Sequence, residues 1–370
     1  MNDIVFTGFS ESVGLEDCAS TAMSDAIDRW FSLYYGQGEG EQCLQLPYTI
    51  VRKLVRAVFS EYQPHSDGGI LEEVCHRQAL EFALIGGESY LKPVFTDRWQ
   101  WRSVPRNAIA IFARDLDGQP VDVGLAETLR QGKAFFHLLE RRTLDAKGFL
   151  SIENRLFRSS GENTLGREVP LKTCPAYADL PRRYTYPYPL FSVGLVQVKN
   201  PAANCIDGST DGVSVYAAAE GLINAIAENE SQLRGEFQRG QSRLVVSRDM
   251  LNRNQLTDSL FVALDEDPEF VGVSIFSPQL REQSYLNRQQ AYLRAMENII
   301  GLKRGLLSQV EAVDRTATEI TSSEGEYMTT VMELQRMWEG VARNAMALTA
   351  AISGKQTGEY SVSWGDGILP

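Results

Sequence analysis

The chain has 370 residues, of which 43% are hydrophobic, and its 48 acidic and 36 basic side chains leave a formal net charge of −12. This length accommodates two or three domains, and no apolar run approaches the ~20 residues that cross a bilayer. The excess of acidic residues argues against a protein that binds nucleic acid tightly, because such affinity comes from neutralising phosphates. It does not exclude DNA that passes the protein without being bound tightly.

Two further features bear on location. The first residues, MNDIVFTGFS, have neither the basic start nor the apolar stretch of a signal peptide, so we expect neither secretion nor a membrane partner. The five cysteines are scattered and include no Cys-x-x-Cys pair. Free thiols in a reducing cytosol fit this pattern better than disulfides or a metal site.

Helical periodicity dominates the first 85 residues. The segments 21–35, 46–62 and 72–85 carry apolar residues at helical spacing, which predicts three helices. Gly86 and Gly87 follow the third and suit a helix C-cap.

Between residues 88 and 200 the apolar period changes to two, which predicts a β-sheet region. The runs that alternate, or are rich in β-branched and aromatic residues, are 90–94, 108–113, 133–143, 149–158 and 190–199. Proline and tyrosine crowd 170–189, and we expect this segment to cross the surface rather than to enter a core.

Two long helical stretches, 213–241 and 280–304, then bracket a short insert. The first would run ~42 Å at 1.5 Å per residue, and Asp211 or Ser214 is expected to cap it. The C-terminal half of this first stretch, its lower half, is polar apart from Leu233 and Phe237. Because most helix stability comes from packed apolar faces, we expect another molecule to pack against this polar half and stabilise it.

The insert at 242–278 is predicted to form strands at 243–247, 259–264 and 272–276, with an acidic turn at Asp265, Glu266 and Asp267. The second long helix turns one set of side chains to a common side, namely Tyr285, Gln289, Tyr292, Leu293, Met296, Ile299 and Ile300.

The most regular period in the chain spans 315–353. Its apolar residues alternate spacings of three and four, which satisfies a coiled-coil seam. One helix that lies across a sheet or between neighbouring subunits fits at least as well, because Gly325 and Gly340 fall within it. The tail at 359–366 alternates as one short strand.

No catalytic pattern emerges. His65, His76 and His137 have no serine or cysteine in a recognisable nucleophile motif. The run 207–212 (DGSTDG) resembles half of a calcium loop but lacks its alternating ligands and closing glutamate, so a turn is favoured. We therefore predict no catalytic, cofactor-binding or metal-binding residues, no cofactor and no enzymatic activity.

Several segments, in this order, resemble the phage portal proteins of the SPP1 portal-like (minor capsid) family. The matching segments are 77–80 (RQAL), 86–93 (GGESYLKP), 148–157 (GFLSIENRLF), 190–191 (LF), 198–201 (VKNP) with Asn204, 212–217 (GVSVYA), 243–246 (RLVV), 250–251 (ML) and 315–320 (RTATEI). Each is weak singly, but they are collinear, and the resemblance covers residues 27 to 368.

This resemblance implies an α+β portal fold with a mixed α/β wing, a two-helix stem, a small β-rich clip and a long wing helix. Its members form a ring, dodecameric in virions, at one capsid vertex, through which double-stranded DNA is packaged and ejected. The implied partners are other copies of the chain, the major capsid and scaffold proteins, the terminase large subunit and the head–tail adaptor. The implied location is the virion, after assembly in the cytoplasm of a host bacterium.

Carried onto this sequence, the resemblance divides the chain into an N-terminal wing (1–205), first stem helix (206–241), clip (242–279), second stem helix (280–304), tunnel loop (305–314), long wing helix (315–353) and C-terminal strand and tail (354–370). Relatives continue past the Trp364 strand into a helical crown. This sequence ends at Pro370, so we expect the crown to be reduced or absent.

Three sets of residues follow as site candidates. Lys303, Arg304 and Arg315 are the basic residues around the tunnel loop, and we expect them to form a thin belt for DNA phosphates, on a loop that Gly301 and Gly305 allow to move. The candidates for contact between neighbouring stems are Leu233, Phe237, Tyr285 and Tyr292, while Glu228, Glu230 and Glu236 are expected to be exposed or between subunits. The clip candidates are Asp265, Glu266 and Asp267.

Other classes of protein stay open at this point. A nuclease or modifying enzyme would need a cluster of acidic metal ligands, which the sequence does not assemble. A protein-interaction adaptor that binds through the 315–353 helix, or a minor capsid component without a DNA channel, would need no such cluster.

Overall fold

The computed structural model describes residues 4–36, 44–95, 98–240, 243–247, 261–264, 274–276, 279–309 and 317–365, with the backbone alone at 95, 243–247, 261–264, 274–276 and 317–324. Contacts divide the chain into two compact units: unit 1 is Met1–Ala218 with Ala317–Pro370, and unit 2 is Ala219–Thr316. Among the described residues, no helix is long and apolar enough to cross a membrane.

The described residues form an α+β structure, as predicted. The helices are α1 (Ile4–Val13), α2 (Thr21–Tyr34), α3 (Leu46–Val58), α4 (His76–Gly86), α5 (Glu220–Arg239), α6 (Glu282–Ile300) and α7 (Ala317–Ser353). The strands are β1 (Gln63–Ser66), β2 (Glu88–Phe95), β3 (Trp99–Pro105), β4 (Ile109–Arg114), β5 (Pro120–Gln131), β6 (Ala134–Leu144), β7 (Phe149–Ser159), β8 (Arg167–Val169), β9 (Arg183–Pro189), β10 (Val196–Lys199), β11 (Arg243–Ser247), β12 (Phe261–Leu264), β13 (Ser274–Phe276) and β14 (Tyr360–Ser363).

The helices of unit 1 follow their apolar spacing, and their ends are set by local hydrogen bonds. The Oγ of Ser20 accepts a hydrogen bond from the amide of Met23 and caps α2. Gly87, with φ of 83°, follows α4 as predicted. The start of α4 was predicted at residue 72 but lies at His76, because the Glu72 carboxylate instead accepts hydrogen bonds from the amide and hydroxyl of Ser66.

Unit 1 contains antiparallel sheets. The largest has the order β4-β5-β6-β7-β8, with β9 also paired to β7; a second has the order β10-β2-β3, and β1 pairs with β14. Strands β1, β3, β5, β8 and β9 were not predicted. The β5 sequence PVDVGLAETLRQ contains a glycine and two acidic residues, and it is a strand because β4 and β6 pair with both of its edges. The predicted strand at 190–199 is confined to β10.

Helix α7 packs within its own unit, mainly against α3 and β10. The predicted apolar positions Val331, Leu334, Trp338 and Val341 are all buried, and the Trp338 indole donates a hydrogen bond to the Tyr62 hydroxyl. The heptad-like period therefore serves a helix that lies across the elements of its own chain, which is the alternative to a coiled-coil seam.

A cluster of buried charges ties distant segments of unit 1 together. Arg114 pairs with Glu88 at 2.9 Å and with Asp211 at 2.7 Å, and the side chains of all three are less than a tenth exposed. Burial by itself would raise the pKa of Glu88, but the guanidinium groups of Arg114 and Arg106 and the hydrogen bond from the Tyr90 hydroxyl together outweigh burial and lower that pKa. We call Glu88, Arg114 and Asp211 the buried-charge cluster.

Candidate assembly and DNA-facing site

Helix α5 of unit 2 begins later than predicted. The prediction placed its start at residue 213 with a cap at Asp211 or Ser214, whereas the helix begins at Glu220 and its 20 residues run ~30 Å. The reason lies in tertiary hydrogen bonds: the amide of Val215 and the hydroxyl of Ser214 both donate to the Leu84 carbonyl, and Asp211 pairs with Arg114. These groups are therefore not available to cap or continue a helix.

Helices α5 and α6 form an antiparallel hairpin. Arg281 pairs with Glu236 at 3.1 Å, Gln289 donates to Glu230, and the Asn229 amide donates to the Tyr285 carbonyl at 3.1 Å. Because Glu236 lies near the end of α5 and Arg281 lies just before the start of α6, their pairing defines the two helices as antiparallel. The buried residues gather toward the other end, namely Ile223, Ile226, Leu293, Met296 and Ile300. The hairpin thus has an apolar end and a polar end, as the polar lower half of the sequence predicts.

The three glutamates of α5 differ in exposure. Glu228 is exposed and Glu230 is half-buried, whereas the side chain of Glu236 is only 13% exposed. Hydrogen bonds from Arg281 lower the pKa of Glu236 to about 2. Glu236 was expected to be exposed or to lie between subunits, and its pairing with Arg281 of the same chain was not predicted.

The four stem candidates lie on the hairpin with part of their surface uncovered. Leu233, Tyr285 and Tyr292 are half-buried, and Phe237 is 43% exposed. Sequence reasoning missed two further exposed apolar side chains, Leu286 and Ile299, which are 43% and 50% exposed. Ile299 was expected on the same side of the helix as Leu293 and Met296, and unlike those two buried residues it is half exposed. The hairpin therefore leaves several large apolar side chains uncovered in the isolated chain.

Helix α6 ends at Ile300, four residues before the predicted end. Gly301 has φ of 73° and ψ of 36°, the left-handed conformation that glycine adopts most easily. The amide of Leu302 donates to the Glu297 carbonyl at 2.8 Å, and the amide of Gly301 donates to the Asn298 carbonyl. This pair of hydrogen bonds is a Schellman motif, which stops the helix.

The loop that follows, residues 301–309, is organised around one buried carboxylate. Glu297 has no exposed surface, and its Oε1 accepts hydrogen bonds from the amides of Gly305 at 3.0 Å, Leu307 at 2.6 Å and Ser308 at 2.9 Å. Its Oε2 accepts one from the Ser308 hydroxyl at 2.8 Å. Sequence reasoning missed Glu297, although a glutamate among the apolar positions Leu293, Met296 and Ile300 was the available signal.

Two of the three DNA-belt candidates lie on this loop. Lys303 is half-buried, and its carbonyl accepts a hydrogen bond from the Leu306 amide; Arg304 is exposed. Arg315 and the clip candidates Asp265, Glu266 and Asp267 lie outside the described residues. The expected freedom of the loop at Gly305 is not what the structure has, because the Gly305 amide is held by Glu297.

The described part of the insert is a small sheet with the order β12-β11-β13, in which β11 and β12 are parallel and β11 and β13 antiparallel.

The 207–212 run, which resembles half of a calcium loop, forms a turn. The Asp207 carboxylate accepts hydrogen bonds from Asn204, Ser209 and Ser20. Across the described ranges, no group of three or more His, Cys, Asp or Glu side chains could hold a metal ion.

Comparisons with known proteins find similarity in structure alone. No family model matches the chain, and no curated protein matches it. Among solved structures, a chain from "Neck of native GTA particle computed with C12 symmetry" matches with a TM-score of 0.51 and 11% identity, over 98% of this chain and 90% of that chain. Nearly the whole chain therefore shares the fold of a neck subunit from that particle.

Proposed function

We propose that the chain is a portal protein, which forms a closed ring at one vertex of a phage-like capsid and conducts double-stranded DNA during packaging and ejection. The observation that carries the proposal is the likeness in fold to a subunit of a GTA neck computed with C12 symmetry, over 98% of this chain. The collinear motifs that resemble portal proteins support the same conclusion.

The parts of the chain take the following roles in this proposal. Unit 1 is the wing, helices α5 and α6 are the stem, the insert at 242–279 is the clip, and the 301–309 loop opens the tunnel loop. A closed ring with heterologous contacts would supply neighbours for the partly exposed stem residues Leu233, Phe237, Tyr285 and Tyr292. The ring would be dodecameric in the assembled particle.

The proposed partners are other copies of the chain, the major capsid and scaffold proteins, the terminase large subunit, the head–tail adaptor and the DNA that passes through. We assign the clip, with Asp265, Glu266 and Asp267, to terminase and adaptor docking. The chain itself carries no catalytic step, because a separate ATPase would move the DNA. Its location would be the virion, after assembly in the host cytoplasm.

Ring assembly tests the proposal first. Native mass measurement and negative-stain imaging of the purified chain should find closed rings of about a dozen subunits with a central hole. Isolated rings of neighbouring subunit number would agree equally well. A monodisperse monomer that stays inactive in capsid assembly would contradict the proposal.

The DNA belt is tested by the double substitution Lys303→Ala with Arg304→Ala. Removing a cation that binds a phosphate weakens DNA binding and reduces its dependence on salt, and a ring repeats this change in every subunit. We expect normal rings but several-fold lower DNA packaging and retention in particles. Unchanged packaging and retention would show that these residues form no phosphate belt.

A connector ring without a packaging role is the second candidate, because the matching structure is described as the neck of its particle. The packaging assay separates the two candidates. Particles that lack the chain should contain no DNA if it is a portal, and should contain DNA but lack tails if it is a connector.

A further inference from the structure

The 301–309 loop carries two of the basic residues of the proposed tunnel, yet its backbone is fastened to the interior of the hairpin unit. Three backbone donors and one hydroxyl of the loop converge on the two oxygens of one fully buried side chain, Glu297. A buried carboxylate is stabilised only when such donors surround it, so the side chain and the loop depend on each other.

Other bonds hold both ends of the same loop. The Schellman motif at Gly301 fixes its first residues to the end of α6. At its far end, the amide of Gln309 donates to the side chain of Gln290 at 2.7 Å. Gly305 adopts φ of 94°, a conformation that only glycine takes without strain, and the Glu297 hydrogen bond to its amide holds the chain there.

We propose that Glu297 is a positioning residue, which holds the 301–309 loop in one conformation and so determines where Arg304 stands. The inference rests on the proposed function for its consequence in DNA transport, but the hold on the loop is a property of the chain itself. In a ring, every subunit would then present Arg304 at the same height from a preformed loop. Preformed placement avoids the entropy of ordering a mobile loop each time a phosphate is met.

The chemistry of Glu297 offers a conservative variant and a disruptive one. In Glu297→Gln, the amide oxygen has two lone pairs for the three backbone donors and carries no full charge, while the amide nitrogen can donate to the Ser308 hydroxyl, so the contacts are weakened rather than removed. Glu297→Ala removes all four bonds. Glu282→Ala, at an exposed glutamate in the first turn of the same helix, is the matched control.

Amide hydrogen exchange in the assembled protein provides the direct test. In Glu297→Ala, exchange at Gly305, Leu307 and Ser308 should accelerate at least tenfold, the factor equivalent to about 1.4 kcal/mol, while the amides of α5 keep their protection. Glu282→Ala should exchange as the wild type does, and Glu297→Gln should fall between the wild type and Glu297→Ala. Unchanged protection of the loop in Glu297→Ala would overturn the inference, and so would an equal loss throughout α5, because Glu297 would then support the hairpin in general.

If Glu297→Ala does not fold, Ser308→Ala carries the same test, since it removes the Oε2 partner alone. Exchange at Gly305 and Leu307 should then rise by a smaller factor, and unchanged exchange there would overturn the inference.

DNA retention separates this inference from the proposed function. Arg304→Ala should lower retention with the loop still protected, whereas Glu297→Ala should lower both. Full retention in Glu297→Ala beside lowered retention in Arg304→Ala would overturn the positioning role. Full retention in both variants would overturn the DNA belt, and the exchange rates would still decide the role of Glu297 in the loop.

Discussion

The buried-charge cluster of unit 1 and the ion pair between the two hairpin helices of unit 2 differ in their exposure to solvent. In unit 1, Arg114 lies between Glu88 and Asp211, and all three side chains are withdrawn from solvent. In the hairpin, Arg281 reaches Glu236 from solvent, with 75% of its own side chain exposed. The first arrangement is complete within one chain, whereas the second leaves a polar and partly apolar surface on which another molecule can pack.

The comparison indicates that buried ion pairs contribute to the stability of the fold, whereas partly exposed residues contribute to assembly. Removing one partner from a buried group of charges leaves the others desolvated and unpaired, so the cost appears in the stability of the fold. Removing a partly exposed residue changes the fold little, and its effect should appear in assembly. Three substitutions test this contrast. Unfolding is measured at one fixed protein concentration below that at which rings form, because assembly itself adds stability, and ring fractions are measured at a higher one.

The largest expected effect is that of Arg114→Ala. It leaves the carboxylates of Glu88 and Asp211 buried without their common partner, and the free energy of unfolding should fall by about 3–5 kcal/mol. Urea unfolding measures the change. The matched control is Arg98→Ala, whose ion pair with Glu73 is largely exposed and should contribute about 0–1 kcal/mol. Equal costs for the two substitutions would remove the contrast between buried and exposed pairs.

The next effect is a dependence of stability on pH through Glu140. Burial would raise its pKa, but Arg142 and Lys92 outweigh burial and lower the pKa from 4.5 to about 2, which corresponds to about 3 kcal/mol. Because the pKa is lower in the folded state, this stabilisation is complete above the unfolded value and declines as the pH falls from about 5 toward 2.

Glu140→Gln isolates this contribution. The difference in unfolding free energy between the wild type and Glu140→Gln should shrink by about 2 kcal/mol between pH 5 and pH 3, as measured by urea unfolding at each pH. A difference that stays constant over this interval would show that the carboxyl gains nothing from Arg142 and Lys92.

The smallest effect on folding, and the one that sharpens the contrast, is that of Phe237→Ser. Because Phe237 is 43% exposed on the hairpin, the free energy of unfolding should change by less than about 0.5 kcal/mol, while the fraction of chain in rings falls several-fold. Sedimentation measures the ring fraction. Leu116→Ser, at a fully exposed leucine of unit 1, should leave that fraction unchanged. Equal ring fractions in the two variants would mean that the hairpin surface has no special part in assembly.

Periodicity predicted the elements whose own residues carry a strong pattern. The helical spacing of Leu334, Trp338 and Val341 identified α7, and the alternation of 149–158 identified β7. The same patterns did not reveal β9, because its residues are mostly exposed and it contains two prolines. Its pairing with β7 makes it a strand, and that pairing depends on residues more than 25 positions away.

The sequence by itself determined that this is an α+β chain with a polar helical hairpin, because apolar periods and turn residues are local signals. Tertiary structure alone decided where α5 begins, since the groups at Ser214 and Val215 bond to Leu84, some 130 residues earlier. It also decided the state of the 301–309 loop. Gly301 and Gly305 in the sequence predicted a mobile loop. In the structure, three backbone amides of the loop donate to the buried carboxylate of Glu297, which holds the loop in one conformation.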